Sequence, residues 1–139
     1  MSDALPAVRR ALERRLIALL PDLGAGIEVA FENASISPAG TYLEPRLLPA
    51  DPDGSFYGSL TYLERGVFQV AIMSPLGKGA GSSEALGAKI RKHFARGTTL
   101  TENGIQTIVV DVPSQSRGFP DQGSWRTPVS IPWEALVAV

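Results

Sequence analysis

Residues 67 to 84 read VFQVAIMSPLGKGAGSSE: an apolar run, a loop with three glycines, then a stretch with helical spacing. Strand, glycine-rich loop and helix is the order in which many proteins hold a phosphate. The spacing inside the loop therefore decides between a nucleotide-binding α/β fold and a plain turn. A phosphate loop needs a glycine, four residues, then Gly-Lys-Ser/Thr, so that backbone N–H groups wrap the phosphates and the lysine reaches them. Here the glycines are Gly77, Gly79 and Gly81, Lys78 lies between the first two, and Ser82 follows the last. The dinucleotide pattern G-x-G-x-x-G also fails, because Ser82 stands where the third glycine is needed. Glu102 lies about 20 positions on, where a ribose-binding acid belongs. It adjoins Asn103-Gly104, however, which signals a hairpin. Gly81 or Ser82 as N-cap, with Glu84 in the first turn, accounts for the loop as a helix start. The spacing predicts no nucleotide and no other cofactor.

Working outward, VFQVAIM pairs naturally with the preceding SLTYL as a hairpin turning at Glu64-Arg65-Gly66. The helix after the loop runs from about Ser82 to Arg96, with Leu86, Ile90 and Phe94 as its buried stripe and Gly97 as a left-handed cap. An earlier helix spans Leu5 to Leu20, with Val8, Leu12, Leu16 and Leu19 on one face. Asp3 can cap it, Pro6 suits its first turn, and Pro21 and Gly24 end it. Ile27, Val29 and Phe31 alternate as a half-buried strand, and an extended piece covers Tyr42 to Leu48. A second hairpin joins TTLT to IQTIVVDV across Glu102-Asn103-Gly104. In the last segment Trp125, Thr127, Val129, Ile131 and Trp133 share one face, while Pro128 and Pro132 point their missing N–H groups to one lateral side. That predicts an edge strand. The sum is α+β: a mainly antiparallel β-sheet with two α-helices packed on it, in a single domain covering 1–139 with long mobile loops. The expected core is Leu12, Leu16, Phe31, Val70, Ile72, Leu86, Ile90, Phe94, Ile108, Val110 and Trp133.

Composition agrees and excludes several classes. The chain has 139 residues, 44% hydrophobic and 19% charged, which fits one folded domain. With no cysteine there is neither a disulfide framework nor a thiolate metal site. No apolar run reaches the length of a membrane span and MSDALPAVRRALERR does not read as a signal peptide, so a soluble protein that is not exported is expected. Thirteen basic and fourteen acidic side chains leave a net charge of −1, without the basic excess of a non-specific nucleic-acid binder.

Nor do the residues offer catalysis. His93, the only histidine, has Lys89 and Gly97 as its helical neighbours and no orienting acid, so it reads as a half-exposed helix residue. DPDGS at 51–55 begins like a calcium loop but puts glycine at the fourth place instead of the sixth and lacks the closing glutamate, so it reads as a turn and no built-in metal site is expected. What stands out is two long loops, 49–58 and 113–124, rich in Gly, Pro, Ser and Asp. Phe56 and Tyr57 lie in the first, Phe119 in the second. Segments of this kind order against a partner, with aromatics as anchors. The interface residues expected on this basis are Asp51, Asp53, Phe56, Tyr57, Arg117, Phe119 and Asp121, with Asp51 and Asp53 facing a basic partner or a magnesium ion.

From about residue 33 on, the chain resembles the tail terminator proteins of long-tailed, lambda-like bacteriophages and their prophage relatives. The resemblance is carried by Asn33, Pro38, Tyr42, Leu43, Leu48 and Pro49 in ENASISPAGTYLEPRLLP and by GVFQVAIMSPLGKG with its Pro-x-Gly-x-Gly. Phe94 with Gly97, and the closing Trp125, Ile131 and Trp133, complete it. None of these is a catalytic signature. The resemblance implies a structural virion protein, not an enzyme, assembled in the bacterial host cytoplasm and located in the tail. It implies a homo-hexameric ring that caps the tail tube protein, stops its polymerisation, and offers a surface to a head-completion or connector protein. DNA would only pass through the lumen, and no membrane is involved. The alternatives are a head–tail connector, another small α+β ring former, and a small phosphate-binding enzyme using the 74–84 loop. Loops of this family order on ring formation.

Overall fold

The computed structural model describes residues 4–24, 26–33, 40–54, 60–77 and 79–138. In chain order these form α1 (Leu5–Leu23), β1 (Glu28–Val29), β2 (Tyr42–Pro49), β3 (Thr61–Pro75), α2 (Gly81–His93), β4 (Thr99–Glu102), β5 (Ile105–Val109), β6 (Ser114–Gln115), β7 (Phe119–Asp121) and β8 (Ser124–Ala138). The fold is α+β, as the sequence predicts. One sheet has the order β1-β2-β3-β8-β5-β4, with β6 and β7 also paired to β8. All its pairings are antiparallel except β1 with β2.

Both helices pack on one face of this sheet. Val8, Leu12, Leu16, Leu19 and Leu23 of α1 meet Ile90 of α2 and Phe94 just after it, above Phe68, Val70 and Ile72 of β3 and Val129, Ile131 and Trp133 of β8. The helix period of 3.6 and the strand period of 2 select these side chains, which is why most of the expected core is buried. Pro21 lies inside α1 instead of ending it. It sits in the last turn on the exposed side, while buried Leu19 and Leu23 carry the chain one turn further. Asp3, the expected cap, lies outside the described residues; α1 starts after Ala4 with no side-chain cap, and α2 starts the same way after Ala80 instead of at Ser82.

Four expectations are corrected. There is no hairpin at Glu64-Arg65-Gly66: β3 runs unbroken through all three residues. Gly66 is there because a Cβ would meet the Leu48 carbonyl oxygen at 2.4 Å and Trp133 at 3.0 Å, so it marks a close approach, not a turn. Second, β8 is no edge strand, since β3 pairs with it over its whole length from Ser124 to Ala138. Its prolines do share a lateral side: their carbonyls accept from Ser116 N (3.0 Å) and Val110 N (3.1 Å), and N and O of one extended residue point the same way. That side is filled by β5, β6 and β7 laid end to end. The residues just after β5 and β6 donate to the proline carbonyls and ask no donor of the proline nitrogens. Third, and for the same reason, 113–124 is not a free loop. It is pinned to β8 twice and closes into it through a two-residue turn, Gln122-Gly123, with φ of 50° and 85°.

The fourth correction is a register. Ile108 and Val110 do not join the core; Thr107 and Val109 do, each 1% exposed, while Ile108 is 39% exposed opposite Glu134. A one-residue shift swaps every side chain in a strand to the other face. Phe31 and Leu86 are partly buried against the core.

Candidate assembly surface

With the helices on one side, the other face of the sheet is open around the middle and far ends of β2, β3 and β8, whereas Ala71, Met73, Arg126 and Pro128 at its other end are buried. Leu48 pairs across to Val67, Val67 to Pro132, Ile108 to Glu134 and Leu63 to Leu136, all directed away from the helices. Leu48 and Leu136 are about half exposed, at 45% and 52%. Sequence reading missed this apolar row, although the alternation that buries Leu47, Phe68 and Ile131 also places Leu48, Val67 and Pro132 outward.

Toward one end of this face lies a charged cluster. Arg126 of β8 is 5% exposed; its Nη1 donates to Glu44 Oε1 at 3.0 Å and lies 3.5 Å from Asp121 Oδ2. Arg46 meets the same Glu44 oxygen at 2.6 Å. A buried guanidinium is costly unless paired, so the two carboxylates tie β2 and β7 to the middle of the sheet. Asp121, expected to reach a neighbour, is thus engaged within its own subunit.

The other expected interface residues are placed as follows. Arg117 is exposed between β6 and β7, and Phe119 on β7 is 44% exposed. Gly118 between them lies against Trp125, where an added Cβ would come within 2.6 Å of the indole ring. Phe119 is therefore presented from a fixed backbone. Asp51 is exposed and Asp53 half-buried in the turn after β2. That turn is held by Ala50 N to Arg65 O (2.9 Å), Arg65 Nε to Asp51 O (3.0 Å), and a two-way backbone bridge between Asp53 and Leu63 at 2.7 and 2.8 Å. Phe56 and Tyr57 lie outside the described residues.

The two stems of the glycine loop are tied to each other. Gly77 and Gly79 take positive φ of 82° and 76° to turn the chain from β3 toward α2. Ser83, in the first turn of α2, is 1% exposed and its Oγ lies 3.0 Å from Ser74 Oγ, so its hydroxyl fastens the loop from inside. His93 donates from Nε2 to the Arg15 carbonyl at 2.8 Å. Burial first, then the Arg15 charge, pull its pKa below the usual histidine value against that hydrogen bond. On the outer edge of β2, the Glu32 carboxylate accepts from Leu47 N at 2.7 Å and from Arg9 at 2.9 Å. Burial works to raise Glu32, but these donors outweigh it and its pKa is net lowered. Together with Pro45 and Pro49, which have no N–H, Glu32 leaves that edge few donors to template another strand. Among the described residues no three His, Cys, Asp or Glu gather in a way that could hold a metal ion, and no helix is long and apolar enough to cross a membrane.

A helix-covered sheet whose other face carries apolar and charged side chains, with the stems of its glycine loop tied by Ser74 and Ser83, is the build of a small α+β structural module. The profile of the phage tail terminator proteins matches residues 7–133, and the chain belongs to that family. One solved structure is 25% identical over 96% of both chains, with a TM-score of 0.77. A second, from the virion of a native gene transfer agent particle, covers both chains fully at 19% identity and a TM-score of 0.61, a likeness of fold. No match was found among curated proteins. The family makes this a structural protein of tail completion, in the setting of a virion.

Proposed function

We propose that six copies of this chain, each acting as a single domain, close into a ring on the end of a finished tail tube. The ring ends addition of tube subunits and offers its far side to a head-completion or connector protein, with DNA only passing through the lumen. The match to tail terminators over residues 7–133 carries this reading and favours it over a head–tail connector. A cap of this kind works by satisfying the interface the tube end exposes while presenting no copy of it. A heterologous contact that closes by rotation yields a ring instead of a filament. The role is structural and not catalytic, which the buried Ser83 and the failed phosphate-loop spacing support. Assembly takes place in the bacterial host cytoplasm and the protein resides in the tail.

Asp51, Asp53, Phe56, Tyr57, Arg117 and Phe119 are proposed to contribute subunit and partner contacts, with Asp121 bracing this surface from within through Arg126. Phe119 is the strongest of them, a large apolar side chain half exposed on an ordered strand. Deleting the gene from the particle that encodes it should give tails of uncontrolled length by electron microscopy, and supplying the protein should restore the length. Phe119→Ser should restore it poorly. Tails of normal length without the protein would overturn the reading.

A further inference from the structure

The near-neutral net charge conceals a segregation. The two helices and the turn after the second (residues 5–23 and 81–96) hold eight basic and three acidic side chains, while the remainder holds five basic and eleven acidic, within a total of −1. The helix layer is therefore positive by five and everything else negative by six.

Three of these cations line a cleft of about 540 Å³ between the helices, formed by Arg15, Leu19 and Asp22 of α1 and Lys89, Lys92 and His93 of α2, while Arg9, Arg10 and Arg14 elsewhere on α1 are paired with carboxylates. Its walls are fixed to each other. Arg15 donates to the His93 carbonyl from Nε (3.2 Å) and Nη2 (2.8 Å), His93 returns a bond to the Arg15 carbonyl, and Lys89 Nζ reaches the Asp22 carbonyl at 3.1 Å. These acceptors are neutral carbonyl oxygens. They orient the cations without cancelling them, and among the described residues no carboxylate makes an ion pair with Arg15, Lys89 or Lys92. Among the described residues Asp22 is the one acid lining the cleft. A preformed cationic cleft of this size suits an incoming carboxylate group.

The chain carries a matching guest. Asp51 and Asp53 stand two residues apart on the turn after β2, which the backbone bonds to Arg65 and Leu63 hold in shape. Ordering such a turn on binding costs little, because it is already ordered. Host and guest belong to different elements, so joining them pairs unlike surfaces, as a closing ring requires.

We infer that the α1–α2 cleft of one copy receives the Asp51–Asp53 turn of the next copy. This rests on the ring reading and names the surfaces that would build it. The test is sedimentation over a concentration series of the wild type, of Lys89→Glu/Lys92→Glu and of Asp51→Lys/Asp53→Lys, with thermal melts to confirm folding. Lys92→Glu alone, at an exposed position, serves if the first pair folds poorly. Each reversal should raise the concentration for half-assembly by about tenfold or more. An equimolar mixture of the two reversed proteins should restore assembly, because alternating copies again pair opposite charges. Folded variants that assemble like the wild type, or a mixture that fails to recover, overturn the inference while leaving the ring intact. Unchanged assembly with lost retention of duplex DNA would turn the cleft toward nucleic acid and overturn it too. A wild type that stays monomeric throughout, even with tube ends added, overturns the ring reading itself.

Discussion

Replacing Gly66 with alanine separates two explanations of one residue. In a hairpin turn the added methyl would project into solvent and cost little. In β3 it would lie 2.4 Å from the Leu48 carbonyl oxygen, 2.9 Å from Pro49 Cα and 3.0 Å from Trp133 Cζ2. The first two atoms are backbone of β2, laddered to β3 over eight residue pairs, and the third belongs to a ring only 1% exposed. None of them can swing aside as a surface side chain would. Overpacking of this kind costs about 1–3 kcal/mol, and the contact with fixed backbone argues for the upper half of that range. Losing a glycine from the unfolded chain returns about 0.4–1 kcal/mol, which leaves a net loss of about 1–2.5 kcal/mol. At about 2 cal/mol/K of unfolding entropy per residue, a chain of this length shifts by about 3 °C per kcal/mol. The expected fall in Tm is therefore about 3–8 °C, read by circular dichroism at a concentration where the protein is monomeric. Gly87→Ala is the matched control. Its Cβ would meet only the end of the Gln115 side chain, at 2.5–2.8 Å, which can turn away, and alanine in a helix interior gains up to about 1 kcal/mol. Its Tm should stay level or rise. If Gly66→Ala melts with or above the wild type, the packing argument for an unbroken β3 is refuted.

Four further outcomes are expected. Phe94→Ala removes a fully buried ring that lies 6.0 Å from Phe68, centroid to centroid, and should cost about 3–5 kcal/mol by urea unfolding; a loss under about 1 kcal/mol would place the end of α2 differently. Ile108→Lys should change stability by no more than about 0.5 kcal/mol, whereas Val109→Lys should prevent folding or cost several times more. Equal effects would refute the register of β5. For His93 the folded pKa lies below the unfolded value, so the folded state resists protonation: stability is complete above about pH 6.5 and falls as pH drops through that value toward the folded pKa. His93→Gln should flatten the decline in Tm between about pH 7.5 and 5.5, since this is the only histidine. Phe119→Ser should leave the monomer's Tm within about 2 °C while raising the concentration needed for assembly, and normal assembly would remove Phe119 from the interface.

The helices and the fold class were legible because each helix repeats its apolar residues at a period strands cannot imitate. Leu12, Leu16 and Leu19, and then Ile90 with Phe94, fall on buried faces as their spacing requires. Asn103-Gly104 was legible for a related reason, since positive φ at both positions (51° and 76°) is a local demand met by local residues. Gly66 was not legible, because a glycine that turns a chain and a glycine that admits a neighbouring backbone look alike in sequence. What distinguishes them is Leu48 and Trp133, which only the folded sheet brings there. Ile105 to Val110 offers two alternations of similar apolar content, and the choice between them depends on β8. The site was the least legible part. Arg126 and Glu44 lie far apart in the chain, and no spacing rule joins them.

Pro128 and Pro132 show how a correct local deduction can reach a wrong global position. Their nitrogens do face one side, and an unbroken strand could not ladder there in the normal way. The chain fills that side with three short strands instead of one long one, and each of the contacts at the prolines is a donation to a carbonyl, which proline still provides. The breaks between these strands are where Val112, Arg117 and Gly118 leave the ladder, and Phe119 returns to it half exposed. The composition that suggested a mobile loop is thus the composition of a segmented edge. It keeps β8 covered along both flanks while carrying side chains outward at its breaks. An assembly surface built this way needs less ordering when a partner arrives than a free loop would, since much of the backbone entropy, about 1–2 kcal/mol per residue, is already spent on folding.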